Sequence, residues 1–172
     1  MKVDLNRGTF GKVRQFFLPP LTKGFFIRIF FIALAAYLFF SYICIPLQIR
    51  GNSMEPTYGS RGINFCWRLQ YLFSNPKRHD VVVVRFAGSK VMLLKRVVGL
   101  EGDQVEFRDG KLFVNGRPME EPYVRHPCNW NLPPRKVDNG CVYVVGDNRS
   151  MPIENHYFGQ APMERIMGGP LW

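Results

Sequence analysis

The sequence predicts a mainly β protein, with an N-terminal single transmembrane helix followed by a compact β-barrel-like or paired-sheet domain. Three observations predict it. The run from Phe25 to Leu47 is predominantly apolar and carries no charge from Ile29 to Ile45, and roughly 20 such residues cross a hydrocarbon core of about 30 Å. Beyond Gln48, short β-branched and aromatic runs are punctuated by Asp109-Gly110 and Asn115-Gly116, which are hairpin-turn dipeptides. No long helical pattern interrupts them.

The 172 residues leave room for one domain and an appendage. Residues 1–24 form a basic N-terminal segment. Lys2, Arg7, Lys12, Arg14, Lys23 and Arg28 precede or enter the apolar run against Asp4 alone, and no later block of like charge appears. The net charge of +10 is therefore a membrane flank and not a nucleic-acid surface. Residues 25–47 are the anchor, with Arg28 snorkelling to the headgroups. The alternative is a cleaved signal sequence. The long basic region and the lack of a small-x-small site after Ile43-Cys44-Ile45-Pro46 argue against it. The positive-inside rule places the N-terminus in the cytoplasm and residues 48–172 on the far side.

Within 48–172, Val81 to Phe86, opened by Asp80, reads as a buried strand, and Lys90 to Val98 as a second. Gln104 to Arg108 alternates polar and apolar, turns at Asp109-Gly110 and returns through Lys111 to Val114. Cys141 to Val145 is a further strand, ended by Gly146-Asp147-Asn148.

Two residues suggest chemistry. Ser53 follows the anchor by a few residues in Gly51-Asn52-Ser53-Met54-Glu55-Pro56-Thr57, either a turn serine or a nucleophile held near the bilayer. Lys95 shares a strand face with Leu93 and Val97. It is either an edge-strand guard facing water or a buried general base. An ordinary lysine is protonated at neutral pH, but burial that lowers its pKa to roughly 7 or 8 would free the amine. A serine and such a lysine form a known nucleophile-base pair. Neither a metal nor a cofactor is expected, since no Cys or His spacing is a metal signature.

These boxes resemble the type I signal peptidases, membrane-bound serine proteases that remove signal peptides from exported proteins. Ser53 to Thr57 is similar to the nucleophile box, Asp80 with its valines to the next strand, Lys95-Arg96-Val97-Val98-Gly99-Leu100-Glu101-Gly102-Asp103 to the base box, and Gly146-Asp147-Asn148-Arg149 to the last. The resemblance implies a catalytic domain in which Ser53 attacks the scissile carbonyl and Lys95 takes its proton. The Ser53 N–H would hold the oxyanion. Gly51 stands where some members have a hydroxyl, leaving Asn52 as a possible substitute. Met54 would line the cleft or fill a core gap. Arg96 and Asp147 would form a structural ion pair, with Asn148 in the same box. The partners implied are exported preproteins and the bilayer of a bacterial inner membrane, with cleavage after a small residue.

The last box departs from the family. Pro152 falls where a lysine-orienting serine is expected, Glu154 replaces an aspartate and His156 its arginine partner. The expectations are that Ser150 takes over the orienting role and that Glu154 pairs with His156. Cys128 and Cys141 are candidates for a disulfide. The aromatic stretch Ile63 to Phe73 and the end Gly168-Gly169-Pro170-Leu171-Trp172 are set either against lipid or in the core. Two other readings stay open: a dedicated protease for one substrate, such as a conjugative pilin, and an inactive, membrane-tethered peptide-binding module.

Overall fold

The computed structural model describes residues 22–85, 92–126 and 128–172. It divides into an N-terminal unit ending at Ser41 and a second unit, Tyr42–Trp172. Helix α1 spans Lys23–Leu38, and Thr22 caps it by accepting from the Phe25 N–H at 3.3 Å. A π-helical turn, Phe39–Ile43, continues it. The helix has no buried residue, and Phe26, Ile29, Phe30, Ile32 and Tyr37 all point outward. A helix apolar all round needs lipid or a large protein core to cover it. Lys23–Ile43 runs 21 residues and contains an 18-residue stretch of mean hydropathy 2.1, and at about 1.5 Å per residue it reaches about 30 Å, enough for a single span.

The apolar run does not stay helical to Leu47. Strand β1, Cys44–Arg50, takes its last residues and pairs antiparallel with β2, Arg61–Trp67. Pro46 cannot continue a helix, and Cys44 and Leu47 are buried in the second unit. Cys44 is thus a sheet residue opposite Trp67 and not a residue of the span.

The remaining strands are β3 (Val81–Arg85), β4 (Met92–Gly99), β5 (Gln104–Arg108), β6 (Lys111–Val114), β7 (Arg117–Pro118), β8 (Leu132–Lys136), β9 (Cys141–Val145), β10 (Gly159–Pro162) and β11 (Ile166–Pro170). They form an antiparallel seven-stranded sheet, ordered β1-β2-β11-β3-β4-β9-β10, and a four-stranded sheet, ordered β7-β6-β5-β8. This is the mainly β, paired-sheet architecture that the sequence predicts. The β5–β6 turn has Asp109 and Gly110 at φ 48° and 76°, the positive pair that a two-residue hairpin requires.

β11 lies inside the large sheet although it contains Gly168-Gly169. A Cβ on Gly168 would sit 2.2 Å from the Trp67 carbonyl oxygen, so only glycine lets the strand approach so closely. The C-terminal stretch is therefore core in its first part, Gly168 and Gly169. Its tip is not: Leu171 and Trp172 are exposed, Trp172 lies 5.5 Å from the Phe65 ring, and its carbonyl accepts from Asn64 Nδ2 at 2.6 Å. The stretch from Ile63 is also divided, with Asn64 and Cys66 buried and Ile63, Leu69, Leu72 and Phe73 exposed.

Two cores cover the two faces of β3–β4–β11. One contains Val82, Val84, Val97, Val142, Val144 and Ala161, the other Leu47, Cys66, Val83 and Met167. A third joins the small sheet to β9 through Phe107, Leu112, Trp130, Tyr143 and Val145. Cys128 and Cys141 pack at its edge as free thiols. The candidate disulfide between them is not formed, and the Cys128 Sγ instead donates to the Gly110 carbonyl of the β5–β6 hairpin at 3.4 Å.

Trp130 contacts the rings of Phe107, His156 and Phe158. Trp130→Ala is expected to cost about 3–5 kcal/mol, measured by denaturant unfolding. A loss below about 1 kcal/mol would show that this core does not depend on the indole.

Candidate active site

β4 is an interior strand, paired with β3 on one side and β9 on the other. Lys95 lies opposite Val82, its side chain is almost fully buried at 2% exposure, and the edge-guard alternative is thereby overturned. Its Nζ lies 2.9 Å from Ser53 Oγ. Burial pushes the amine down from 10.5 to about 8, with Asp147 pulling in the opposite direction. At about 1.4 kcal/mol per unit the shift corresponds to about 3 kcal/mol. Removal from water therefore outweighs the nearby carboxylate.

Ser53 is held by its backbone. Gly51, at φ +90°, turns the chain out of β1, a conformation that suits glycine. The Glu55 N–H donates to the Asn52 carbonyl at 3.1 Å and the Tyr58 N–H to the Met54 carbonyl at 2.9 Å. The last box then clamps the loop: the Asn148 N–H donates to the Ser53 carbonyl and Asn148 Nδ2 to the Asn52 carbonyl, each at 3.0 Å. Gly146 makes this approach possible, because a Cβ there would lie 2.2 Å from the Ser53 oxygen and 2.8 Å from His156 Nε2.

Arg96 and Asp147 form a buried, two-pronged pair. Arg96 Nε donates to Asp147 Oδ1 at 2.8 Å and Nη2 to Oδ2 at 2.6 Å. Arg96 Nη1 donates to the His79 carbonyl at 2.7 Å, and the guanidinium stacks 4.0 Å over Tyr123. Thr57 Oγ1 donates to Asp147 Oδ2 at 2.5 Å. Strand β4, the last box and the Ser53 loop are thus tied at one carboxylate. Thr57, Tyr123 and the His79 carbonyl were not singled out from sequence. Thr57 had a signal, its place in the nucleophile box, whereas the other two are brought in by chain folding.

Two expectations about the last box are corrected. Ser150 does not orient Lys95: it is exposed, and its hydroxyl donates to Asn148 Oδ1 at 2.7 Å. Two residues of separation favour that local bond. Glu154 does not pair with His156. Glu154 is exposed and has no salt bridge among the described residues, whereas His156 is buried. Pro152 opens a 3-10 turn, Ile153–Asn155, which returns His156 beneath Gly146. There His156 Nε2 accepts the Gly146 N–H at 3.0 Å, so the neutral ring carries its proton on Nδ1. That Nδ1 is buried with no hydrogen-bond partner among the described residues. Burial, with Lys95 and Arg149 nearby, pushes the imidazole down from 6.5 to about 3.

A cleft of about 310 Å³ runs beside Ser53, lined by Pro46 to Ile49, Gly51, Met54, Val83 and Met92 to Leu94. Met54 is 3% exposed and so serves both cleft and core. Among the described residues no three His, Cys, Asp or Glu side chains converge to hold a metal.

A mainly β unit that sets a buried lysine against a serine hydroxyl beside an apolar cleft has the side-chain set of a serine hydrolase. The chain belongs to the signal peptidase family, peptidase S26, whose profile matches residues 22–170. It is 35% identical over 142 residues to thylakoidal processing peptidase 1, chloroplastic, of Arabidopsis thaliana, covering 76% of this chain and 42% of that one. It is 31% identical over 138 residues to signal peptidase I of Leptolyngbya laminosa, covering 74% and 67% respectively. The chain thus spans less than half the length of the Arabidopsis relative. A crystal structure of a signal peptidase I from Enterococcus faecalis has a TM-score of 0.46 at 26% identity, covering 56% of this chain and 97% of that one.

Two stability effects follow from the buried amine and imidazole. The folded Lys95 binds its proton less tightly than the unfolded one, so it lowers stability below pH 8, and the penalty fades as pH rises from about 8 to 10.5. Lys95→Met is expected to be more stable than wild type at pH 7 by about 1–3 kcal/mol, with the gain shrinking towards pH 10. Urea unfolding at both pH values checks this, and a destabilised variant at pH 7 counts against it. The His156 contribution is complete above pH 6.5 and is lost as pH falls towards about 3. Between pH 6 and 4 the unfolding free energy of His156→Gln should therefore fall less steeply than that of wild type, by up to about 1.4 kcal/mol per pH unit. Parallel slopes would contradict a buried neutral imidazole.

Proposed function

We propose that this protein is a membrane-anchored serine endopeptidase that removes N-terminal signal peptides from exported preproteins. The observation that carries the reading is the 2.9 Å contact between Ser53 Oγ and the buried Lys95 Nζ in a chain of the signal peptidase family. The unprotonated amine takes the Ser53 proton as Oγ attacks the scissile carbonyl. The carbonyl oxygen becomes an oxyanion held by the Ser53 N–H. Lys95 then gives the proton to the departing amine, and water, activated by the same amine, releases the acyl chain. Arg96 and Asp147 are positioning residues that fix β4 against the last box. Asn148 clamps the Ser53 loop, and Ser150 fixes the Asn148 amide.

Helix α1 anchors the chain, with the basic flank in the cytoplasm and the β unit on the far side of the inner membrane. The signal peptide lies along the Ser53 cleft, where Leu47, Met54 and Leu94 favour a small residue just before the cut. The Arabidopsis relative is named a thylakoidal processing peptidase; removal of a targeting segment beside a membrane fits the same site. The serine-lysine contact disfavours the inactive binding module, which needs neither group.

The test is cleavage of a signal-peptide-bearing preprotein in detergent. Ser53→Ala and Lys95→Ala should each lower kcat/KM by at least about 10³-fold. In wild type, kcat/KM should rise with pH and level off above about 8, where the free amine predominates. Retained cleavage in either variant would exclude the pair as the catalytic groups. A rate independent of pH between 6 and 9 would exclude Lys95 as the base.

A further inference from the structure

The Ser53–Lys95 contact stands between two clefts. The larger is lined by Ser53; the second, of about 110 Å³, is lined by Lys95 and not by Ser53. Leu93 lines both. The floor of the second cleft is apolar, formed by Val84, Leu93, Val144 and Ala161, and its rim carries Arg85 and Arg165. Both arginines are exposed, and neither makes a salt bridge among the described residues. β3 ends at Arg85, and Arg165 closes the 3-10 turn Met163–Arg165 before β11.

We propose that this second cleft seats the chain just after the scissile bond, and that Arg85 and Arg165 make it select an acidic side chain there. The inference rests on the peptidase reading of the Ser53–Lys95 pair. In the acyl-transfer step the Ser53 Oγ–carbon bond forms, the carbon–nitrogen bond breaks, and the proton from the hydroxyl ends on the departing nitrogen. That nitrogen must come within hydrogen-bond reach of Lys95 Nζ. The chain leading away from it therefore starts on the Lys95 side of the contact, while the acyl part occupies the Ser53 side. An apolar lining with two exposed arginines at its edge fits a glutamate or aspartate, whose methylene carbons rest on the valines while the carboxylate is drawn to the positive edge. A lysine in the same place would face two like charges.

The test uses peptides that share one signal segment and cut site and carry Glu, Lys or Ala at each of the three positions after the cut. The readout is the ratio of kcat/KM for Glu over Lys within each variant, which a general loss of activity does not move. Wild type should favour Glu by about three- to tenfold at one position, less at high salt. R85E combined with R165E should reverse the preference. An unchanged ratio in the double variant, or a wild-type ratio near one with the alanine peptide still cleaved, overturns the assignment of the cleft alone. No cleavage of the alanine peptide by wild type overturns the peptidase reading and this inference with it.

Discussion

A lysine amine kept out of water is the constraint on which the rest of the second unit depends. β4 places Lys95 in an interior strand, among the valines of β3 and β9, where the ammonium form is penalised. The penalty depresses the pKa only while the sheet remains closed around the amine. The closed arrangement sets Gly146 directly against the Ser53 loop, and no side chain there would fit between the Ser53 carbonyl and His156. The buried Arg96–Asp147 pair keeps those parts in register. Breaking a buried pair by removing one partner costs about 3–5 kcal/mol, comparable to the penalty that burial places on the Lys95 ammonium. Asp147 also acts directly on the amine, since its charge favours the ammonium form. The two-pronged contact with Arg96 and the Thr57 hydroxyl gives that carboxylate a counter-charge and partners of its own.

The last box shows how a loop can keep its position while its polar partners change. Pro152 has no side-chain hydrogen-bonding group, and its place in the chain opens a short turn instead. The turn returns a neutral imidazole beneath Gly146, where it accepts a backbone N–H and packs edge-on against Trp130. An Arg-carboxylate brace does exist nearby, but between other residues: Arg149, with 1% of its side chain exposed, meets Glu121 at 2.5 and 2.9 Å. Charge is therefore held at Arg149–Glu121 and at Arg96–Asp147, and Tyr123 touches both pairs, its hydroxyl donating to Glu121 at 2.8 Å and its ring lying under Arg96. Neutral His156 adds no second positive charge beside Lys95.

Much of the fold was legible because its signals are local. The N-terminal helix shows in an uncharged apolar run, β3 and β9 in β-branched residues, and the β5–β6 hairpin in Asp109-Gly110. Strands β8 and β11 were not legible, because Pro133-Pro134 and Gly168-Gly169 are poor strand formers. Their strand character comes from neighbours: β8 pairs with β5, and β11 is drawn between β2 and β3 where only a bare backbone fits. The apolar helix ends earlier than the apolar run for a similar reason. Cys44 to Leu47 is as apolar as the helix before it, and only the pairing of β1 with β2 assigns it to the sheet.

At the site, the sequence alone shows which reactive side chains are available: a serine after an apolar helix, a lysine within an apolar strand, and an Arg and an Asp in their respective boxes. Residue type and order along the chain suffice for that, because reactivity belongs to the side chain. Only the tertiary structure decided which groups meet. It separated Ser150 from Lys95, Glu154 from His156 and Cys128 from Cys141, and it brought Thr57, Tyr123 and the His79 carbonyl to the Arg96–Asp147 pair. Those outcomes depend on distances of a few ångströms between segments far apart in the chain. Distances of that kind are fixed by packing, which no local pattern encodes.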